Sequence, residues 1–456
     1  MCGLFGISSA DRDVARLTYF GLYALQHRGQ ESAGIAVSED GRLTVLRDLG
    51  LVPQVFDERS LSGLKGQLAI GHTRYSTTGS NAWENAQPLL HNGKARLVAL
   101  GHNGNLINAD SLRDDFTGHV GSTSDSEMIA ALIAEDERPL EEAIPAAMAQ
   151  LEGAATVVGL ADGKLFGFRD AHGFRPLVLG RIGDDPVLAS ETCALDLVGA
   201  TFEREIRPGE LVIIEGSDVD SIQALPQPVQ GSLCIFEFFY LARPDTKLEG
   251  IEIHGARVRM GERLAAESPV EADLVLPIPD SGTPAAIGFS RATGIPFSEG
   301  LIKNRYVHRT FIQPTQDMRE QGIRMKFNPL AEVAGKRLVI VDDSIVRGST
   351  TRQIVQMLFD AGALEVHVRI SSPPVVSPCY YGIDLASEDE MIAAHHTVEE
   401  VRAAIGATSL AYISLDGLQE ATERPASALC RACLTRDYPT RVPIETEKLR
   451  FEPARA

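Results

Sequence analysis

The run Leu338-Val339-Ile340-Val341 is continuously apolar, rich in β-branched residues and closed by Asp342-Asp343, as expected of a parallel strand buried on both faces. A polar stretch, Ser344-Ile345-Val346-Arg347-Gly348-Ser349-Thr350-Thr351, follows it. Beyond that, Ile354, Val355, Leu358 and Ala361 share one face of a helix predicted over Arg352–Ala361. Gly362 stops the helix, and Val366, Val368 and Ile370 open another strand. The pattern is a β-α-β unit, and hydroxyls and flexible backbone at its first turn can direct several N–H groups at one phosphate. Open α/β sheets bind ligands at this carboxyl end of their strands. A second strand, Leu274-Val275-Leu276-Pro277, ends in Ile278-Pro279-Asp280-Ser281-Gly282-Thr283 and leads into a helix from about Pro284. Earlier in the chain, Thr156-Val157-Val158 and Leu211-Val212-Ile213-Ile214 are predicted strands, with turns at Asp162-Gly163 and Pro208-Gly209. The Pro- and Gly-dense stretch from Pro226 to Gly231 marks a domain boundary, and the aromatic run Ile235-Phe236-Glu237-Phe238-Phe239-Tyr240 after it reads as a strand buried between domains.

At 456 residues, 44% hydrophobic and 23% charged, the chain has room for two or three globular domains. No apolar run approaches the roughly 20 residues of a membrane span. Met1-Cys2-Gly3-Leu4-Phe5-Gly6 lacks a basic leader, so a cytoplasmic location is expected. The formal charge of −19 argues against a nucleic-acid surface. Lys303, Arg305, Arg309, Arg319, Arg324 and Lys326 form a local basic exception, a polyphosphate lid or a solvated loop.

Cys2 adds chemistry of its own. Removal of Met1 would leave a thiol and an α-amine on one residue, a nucleophile with its own base, since an α-amino group titrates near pH 7.7–8.0 without special tuning. The apolar strands are broken by Gln26-His27-Arg28-Gly29-Gln30-Glu31-Ser32-Ala33-Gly34, Gly71-His72-Thr73-Arg74-Tyr75-Ser76-Thr77, Gly101-His102-Asn103-Gly104-Asn105 and Ser122-Thr123-Ser124-Asp125-Ser126-Glu127. Together with Cys2-Gly3-Leu4-Phe5-Gly6 these stretches resemble, in order, the N-terminal-nucleophile glutamine amidotransferase domain. The resemblance implies an α+β domain, an αββα sandwich, over residues 2–228. It makes Cys2 the nucleophile, Asn103 and the Gly104 N–H the oxyanion hole, Arg74 the partner of the glutamine α-carboxylate and Asp125 that of its α-ammonium. Gly29 and Gly34 are read as turn residues.

The acid pair and its polar loop carry no Gly-Lys-Ser/Thr, so this is not a Walker-type phosphate loop. They resemble the phosphoribosylpyrophosphate (PRPP) loop of type I phosphoribosyltransferases, an α/β fold with a mostly parallel sheet, here over 229–456. By that resemblance Asp342 and Asp343 face ribose hydroxyls or Mg²⁺, and Ser344, Val346, Arg347, Gly348, Ser349 and Thr350 hold the 5′-phosphate. Ser281 joins Asp342 and Asp343 around Mg²⁺ on the pyrophosphate side, and Lys303 and Arg305 belong to the basic segment over it. Cys430-Arg431-Ala432-Cys433 alone is compatible with a redox pair, a zinc site or an iron–sulfur site. With Cys234 and Cys379 it resembles the ligand pattern of a [4Fe–4S] subgroup, while Cys193 is read as a small buried residue.

The joined halves imply an enzyme that releases ammonia from glutamine and transfers it to C1 of PRPP, giving 5-phosphoribosylamine, glutamate and pyrophosphate at the entry to purine synthesis. Family resemblance further implies a homotetramer inhibited by purine nucleotides, with no nucleic-acid or membrane partner. Another N-terminal-nucleophile amidotransferase and a PRPP-sensing regulator without chemistry are the alternatives.

Overall fold

The computed structural model describes residues 2–76, 79–226, 231–306 and 323–442. The expected boundary at 228/229 lies outside the described residues, as do Arg309 and Arg319 of the basic segment.

Two antiparallel sheets form the first domain. The first has seven strands in the order Thr201–Glu205, Val178–Ile182, Asp185–Ala189, Gly3–Ser8, Leu68–Arg74, Ser32–Glu39 and Arg42–Leu49. The second has six: Asp218–Gln223, Glu210–Glu215, Lys164–Phe168, Gly153–Ala161, Leu97–Leu106 and Leu89–Asn92. Strand alternation sends one set of side chains between the sheets, where Leu4 and Ile70 meet Val158, Leu165 and Val212. The opposite set faces helices. Phe5 and Ile7 pack with Leu22 of helix Val14–Ala24 and Leu195 of helix Thr192–Val198. Leu100 and Val157 pack with Ile129 of Ser126–Glu135 and Ile144 of Leu140–Met148. Three cores between four layers make the αββα sandwich.

In the second domain four parallel strands, Leu274–Pro277, Arg337–Asp342, Glu365–Ile370 and Ser409–Tyr412, lie side by side in chain order. Val339 and Val341 face the core containing helices Ile253–Glu267 and Thr283–Thr293. Leu338 and Ile340 face Ser349–Asp360 and Val398–Ile405. Helices on both faces explain the unbroken apolar run of the central strand.

Three expectations need correction. The polar breaks containing Gly34, His72, Asn103 and Gly104 lie inside strands. Gly34 is no turn residue: a Cβ there would stand 2.2 Å from the Gln87 carbonyl oxygen, so the position serves close backbone approach. These strands carry polar groups that partner one another, as in His72 Nε2 to the His102 carbonyl at 3.1 Å, so hydropathy alone misreads them. The aromatic run is a single wide helical turn, Glu237–Leu241, closed by the Ala242 N–H on the Glu237 carbonyl. That turn buries Glu237, Phe238, Phe239 and Leu241 together, which an alternating strand could not do on one side. Finally, the helix expected from Arg352 begins at Ser349, after Gly348 in the left-handed region at φ 74°. Its first turn is built from the hydroxyl residues themselves.

Candidate active sites

Cys2 lies at the start of the central strand of the first sheet and is 7% exposed. Its main-chain nitrogen donates to Asn103 Oδ1 at 3.1 Å and its thiol faces the Tyr75 carbonyl at 3.7 Å. With Oδ1 so used, Asn103 Nδ2 is buried without a hydrogen-bond partner. A buried donor left without a partner beside a thiol can stabilise an oxyanion formed there. Gly104 follows on the same strand, where a Cβ would lie 2.0 Å from the Ala154 carbonyl oxygen, so only glycine fits. Arg74 and Asp125, both buried, come from the end of strand Leu68–Arg74 and from the residue preceding helix Ser126–Glu135. Arg74 Nη1 donates to the Ser80 carbonyl at 3.0 Å and lies 3.9 Å from Glu31; Asp125 Oδ2 accepts from the Leu106 N–H at 2.8 Å. The cation comes one residue before Tyr75, whose carbonyl faces the thiol, and the anion is bonded to the strand that carries Asn103, so the two supply opposite charges for the ends of an amino acid. His72 is kept neutral by burial, which lowers its pKa to about 3, so it adds no charge here.

Sequence reasoning assigned no role to the charges behind Cys2. Arg28 Nε donates to the Cys2 carbonyl at 3.2 Å, while its terminal nitrogens grip Glu237 at 3.0 and 2.6 Å and also reach Glu191. Burial opposes the Arg28 charge, but Glu237 and Glu191 outweigh it and hold the guanidinium above its ordinary range. Arg28 sits inside the polar stretch from Gln26 to Gly34; Glu237 lies 209 residues away, and no local pattern connects them.

The second centre gathers at the strand ends of the parallel sheet. Asp342 and Asp343 are buried; Ser281 Oγ and Ser344 Oγ donate to the two oxygens of Asp343 at 2.5 and 2.6 Å. Burial, and then the neighbouring Asp343, pushes the Asp342 carboxyl well above its usual range. Such a pair favours a bound cation or hydroxyl donors. Ser349 and Thr350 stand exposed at the start of the twelve-residue helix, ahead of buried Thr351. Val346 is tied by its carbonyl to the Ile392 N–H at 2.9 Å. Arg347 pairs with Glu390 at 2.7 Å, Lys303 pairs with Asp280, and Arg305 is exposed. Lys326 acts electrostatically on Asp342.

The four cysteines come from distant stretches to one place. Leu233–Cys234 and Leu429–Cys430 pair as short parallel strands with Cys234 beside Cys430, and Cys433 accepts at its carbonyl from Val376 and Ser377. Cys379 Sγ accepts N–H bonds from Tyr381 and Ile383, each at 3.4 Å. All four are free thiols, and no three His, Cys, Asp or Glu side chains among the described residues are arranged to hold a metal ion. Cys193 is apart, buried with its thiol 3.6 Å from Glu191.

This fold and these two centres define a glutamine-dependent transferase joined to a phosphoribosyltransferase. A glutamine amidotransferase domain model matches residues 72–197 and a phosphoribosyl transferase domain model matches 249–371. Amidophosphoribosyltransferase of Mycobacterium tuberculosis is 52% identical, covering 98% of this chain and 87% of its own. That of Archaeoglobus fulgidus is 49% identical over 98% and 99%. The solved Bacillus subtilis glutamine PRPP amidotransferase, in complex with ADP and GMP, superposes with a TM-score of 0.91 at 45% identity, covering 98% of this chain and 99% of that one. The chain belongs to the amidophosphoribosyltransferase family, enzymes that aminate PRPP with nitrogen from glutamine.

Proposed function

We propose that this amidophosphoribosyltransferase works through two centres, a glutaminase over residues 2–228 and a PRPP site over 229–456. In the processed chain the Cys2 α-amine accepts the thiol proton, and the sulfur attacks the glutamine amide carbon. Asn103 Nδ2 and the Gly104 N–H meet the oxygen that becomes negative. Arg74 and Asp125 fix the α-carboxylate and α-ammonium, so the amide reaches the sulfur in one orientation. Collapse of the tetrahedral adduct, with the proton held on the α-amine passed to the departing nitrogen, expels ammonia and leaves a glutamyl thioester, which water hydrolyses to glutamate and the free thiol.

In the second centre Asp342 and Asp343 orient the ribose hydroxyls, and Ser344, Val346, Arg347, Gly348, Ser349 and Thr350 enclose the 5′-phosphate at the helix start. Lys303 and Arg305 stand on the pyrophosphate side. Ser281, Asp342 and Asp343 fit Mg²⁺, because their oxygens crowd into a buried acidic corner; the ion would offset charge on the departing pyrophosphate. Ammonia adds to C1 and yields 5-phosphoribosylamine, the opening step of purine synthesis. Cytoplasmic location, a homotetramer and inhibition by purine nucleotides complete the reading.

Cys234, Cys379, Cys430 and Cys433 fit a [4Fe–4S] cluster in donor chemistry, with the Tyr381 and Ile383 N–H groups bonded to the Cys379 sulfur and the buried Arg175 opposing the effect of burial on Cys234. Such a cluster would tie the C-terminal segment to the domain junction. The carrying observation is the orphaned amide of Asn103 beside Cys2 in a chain that also holds the Asp342-Asp343 corner. The test is glutamate release with and without PRPP, together with amination of PRPP by free ammonia. Glutamine hydrolysis without any amination of PRPP would refute the reading.

A further inference from the structure

Arg28 is wholly buried, and each arm of its guanidinium is committed. Nε holds the Cys2 carbonyl at 3.2 Å, and the terminal nitrogens fork onto Glu237 at 3.0 and 2.6 Å, both side chains being at most 1% exposed. A planar fork fixes its own plane, so the carboxylate that grips the two terminal nitrogens also determines where Nε points. Glu191 cannot do this alone. It reaches one nitrogen of Arg28, and its oxygens are shared with His27, the Thr246 hydroxyl and the Arg243 N–H. Glu237 is anchored by its place in the wide turn Glu237–Leu241 and by Arg175 at 3.4 Å.

We infer that Glu237, a residue of the second domain, is a positioning residue for the glutaminase nucleophile: it locks the Arg28 guanidinium, which fixes the Cys2 main chain against Asn103. The first domain's nucleophile is thus held in register by the second domain, and docking of the two completes the glutaminase. The inference rests on Cys2 being the nucleophile.

Electrostatics supplies a readout that a purely structural contact would lack. Behind Cys2 the cations Arg28 and Arg175 are balanced by the anions Glu191 and Glu237, with His27 against Glu191 at 2.8 Å. On the neighbouring strand Arg74 faces Glu31, and His72 is neutral. Removing the Glu237 charge leaves net positive charge beside Cys2, which disfavours its α-ammonium form and lets the amine act as a base at lower pH.

The experiment uses the full-length processed enzyme with PRPP present and measures glutamate release against glutamine concentration across the pH range, per folded molecule by circular dichroism. Glu237→Gln should lower glutaminase kcat about tenfold or more, leave KM for glutamine within about twofold, and move the acid limb down by about one pH unit, the scale of one charge at an effective dielectric near 20. Glu237→Asp keeps the charge but shortens the arm, so kcat should fall while the acid limb stays. If Glu237→Gln does not fold, Glu237→Asp decides. Wild-type kcat per folded Glu237→Asp molecule, or an unmoved acid limb in a folded Glu237→Gln, would overturn the inference. Cys2→Ala is assayed in parallel: glutamine hydrolysis that survives it defeats the nucleophile assignment itself, whereas hydrolysis that needs Cys2 and ignores Glu237 defeats only the role of Glu237.

Discussion

A carboxyl group placed out of water and beside a second carboxyl destabilises the protein until a ligand compensates it, and Asp342 is such a group. Its folded pKa lies above its unfolded value, so the stability cost is absent at low pH and grows as pH rises from the unfolded carboxylate range toward the folded one. Asp342→Asn should therefore raise the melting temperature of the ligand-free enzyme at neutral pH by about 2 °C or more while weakening PRPP use with either nitrogen donor. Calorimetry and ammonia-driven kinetics check the two halves; a lowered melting temperature would show that the acid pair is structurally required. Cys2→Ala makes the opposite split, abolishing glutamine-dependent synthesis while free ammonia still supports it. Loss of both would refute a division into two centres. At this scale the sequence was informative wherever a residue's chemistry is local: a cysteine exposed by one cleavage, two consecutive aspartates, hydroxyls around a glycine. It was silent on Arg28 and Glu237, because an ion pair closed over 209 residues leaves no trace in spacing.

Among the elements, the segment from Cys379 to Asp384 is the clearest link between halves. The Tyr380 carbonyl accepts from Asn105 Nδ2 at 3.0 Å, Asp384 accepts from the Tyr75 hydroxyl at 3.3 Å, and Tyr381 stacks on Phe174 with ring centroids 4.1 Å apart. Gly382, at φ 98°, comes so close that a Cβ would stand 3.0 Å from the Gly104 carbonyl carbon and oxygen. Gly382→Ala both strains that backbone and presses on the strand that carries Asn103 and Gly104. Glutamine-dependent activity should fall about tenfold or more while ammonia-dependent activity holds, measured side by side. An equal fall in both would mean that the segment supports the PRPP site instead. Apart from Cys379, read as a cluster ligand by resemblance, this segment's role was not legible beforehand, because a loop's partners are set by the fold around it. Periodicity located three of the four parallel strands, two of them, Leu274–Pro277 and Arg337–Asp342, apolar on both faces; it missed Ser409–Tyr412 and failed on strands such as Leu97–Leu106, whose site-facing positions hold partnered polar groups and glycines.

For the whole molecule, the question is what holds the C-terminal segment to the domain junction. Cys234 follows the boundary, Cys379 heads the segment touching the glutaminase, and Cys430 and Cys433 lie near the end of the described chain, so one centre would bind three remote stretches. Burial raises the Cys234 thiol to about 11 against the pull of Arg175, and raises Cys430 and Cys433 further. As free thiols these residues would be neutral and contribute little beyond packing, whereas a metal centre would require them as thiolates and turn the same burial into a rigid cross-link. An iron–sulfur cluster makes anaerobically purified protein brown, with about four irons per chain and broad visible absorption. Zinc leaves it colourless. Replacing any one of the four by Ser should remove metal and folded protein together, while Cys193→Ser, outside the set, should remove neither. Fully active protein with neither iron nor zinc would refute a metal centre, and the junction would then rest on the Arg28–Glu237 pair and the apolar contacts around Phe174 and Tyr381.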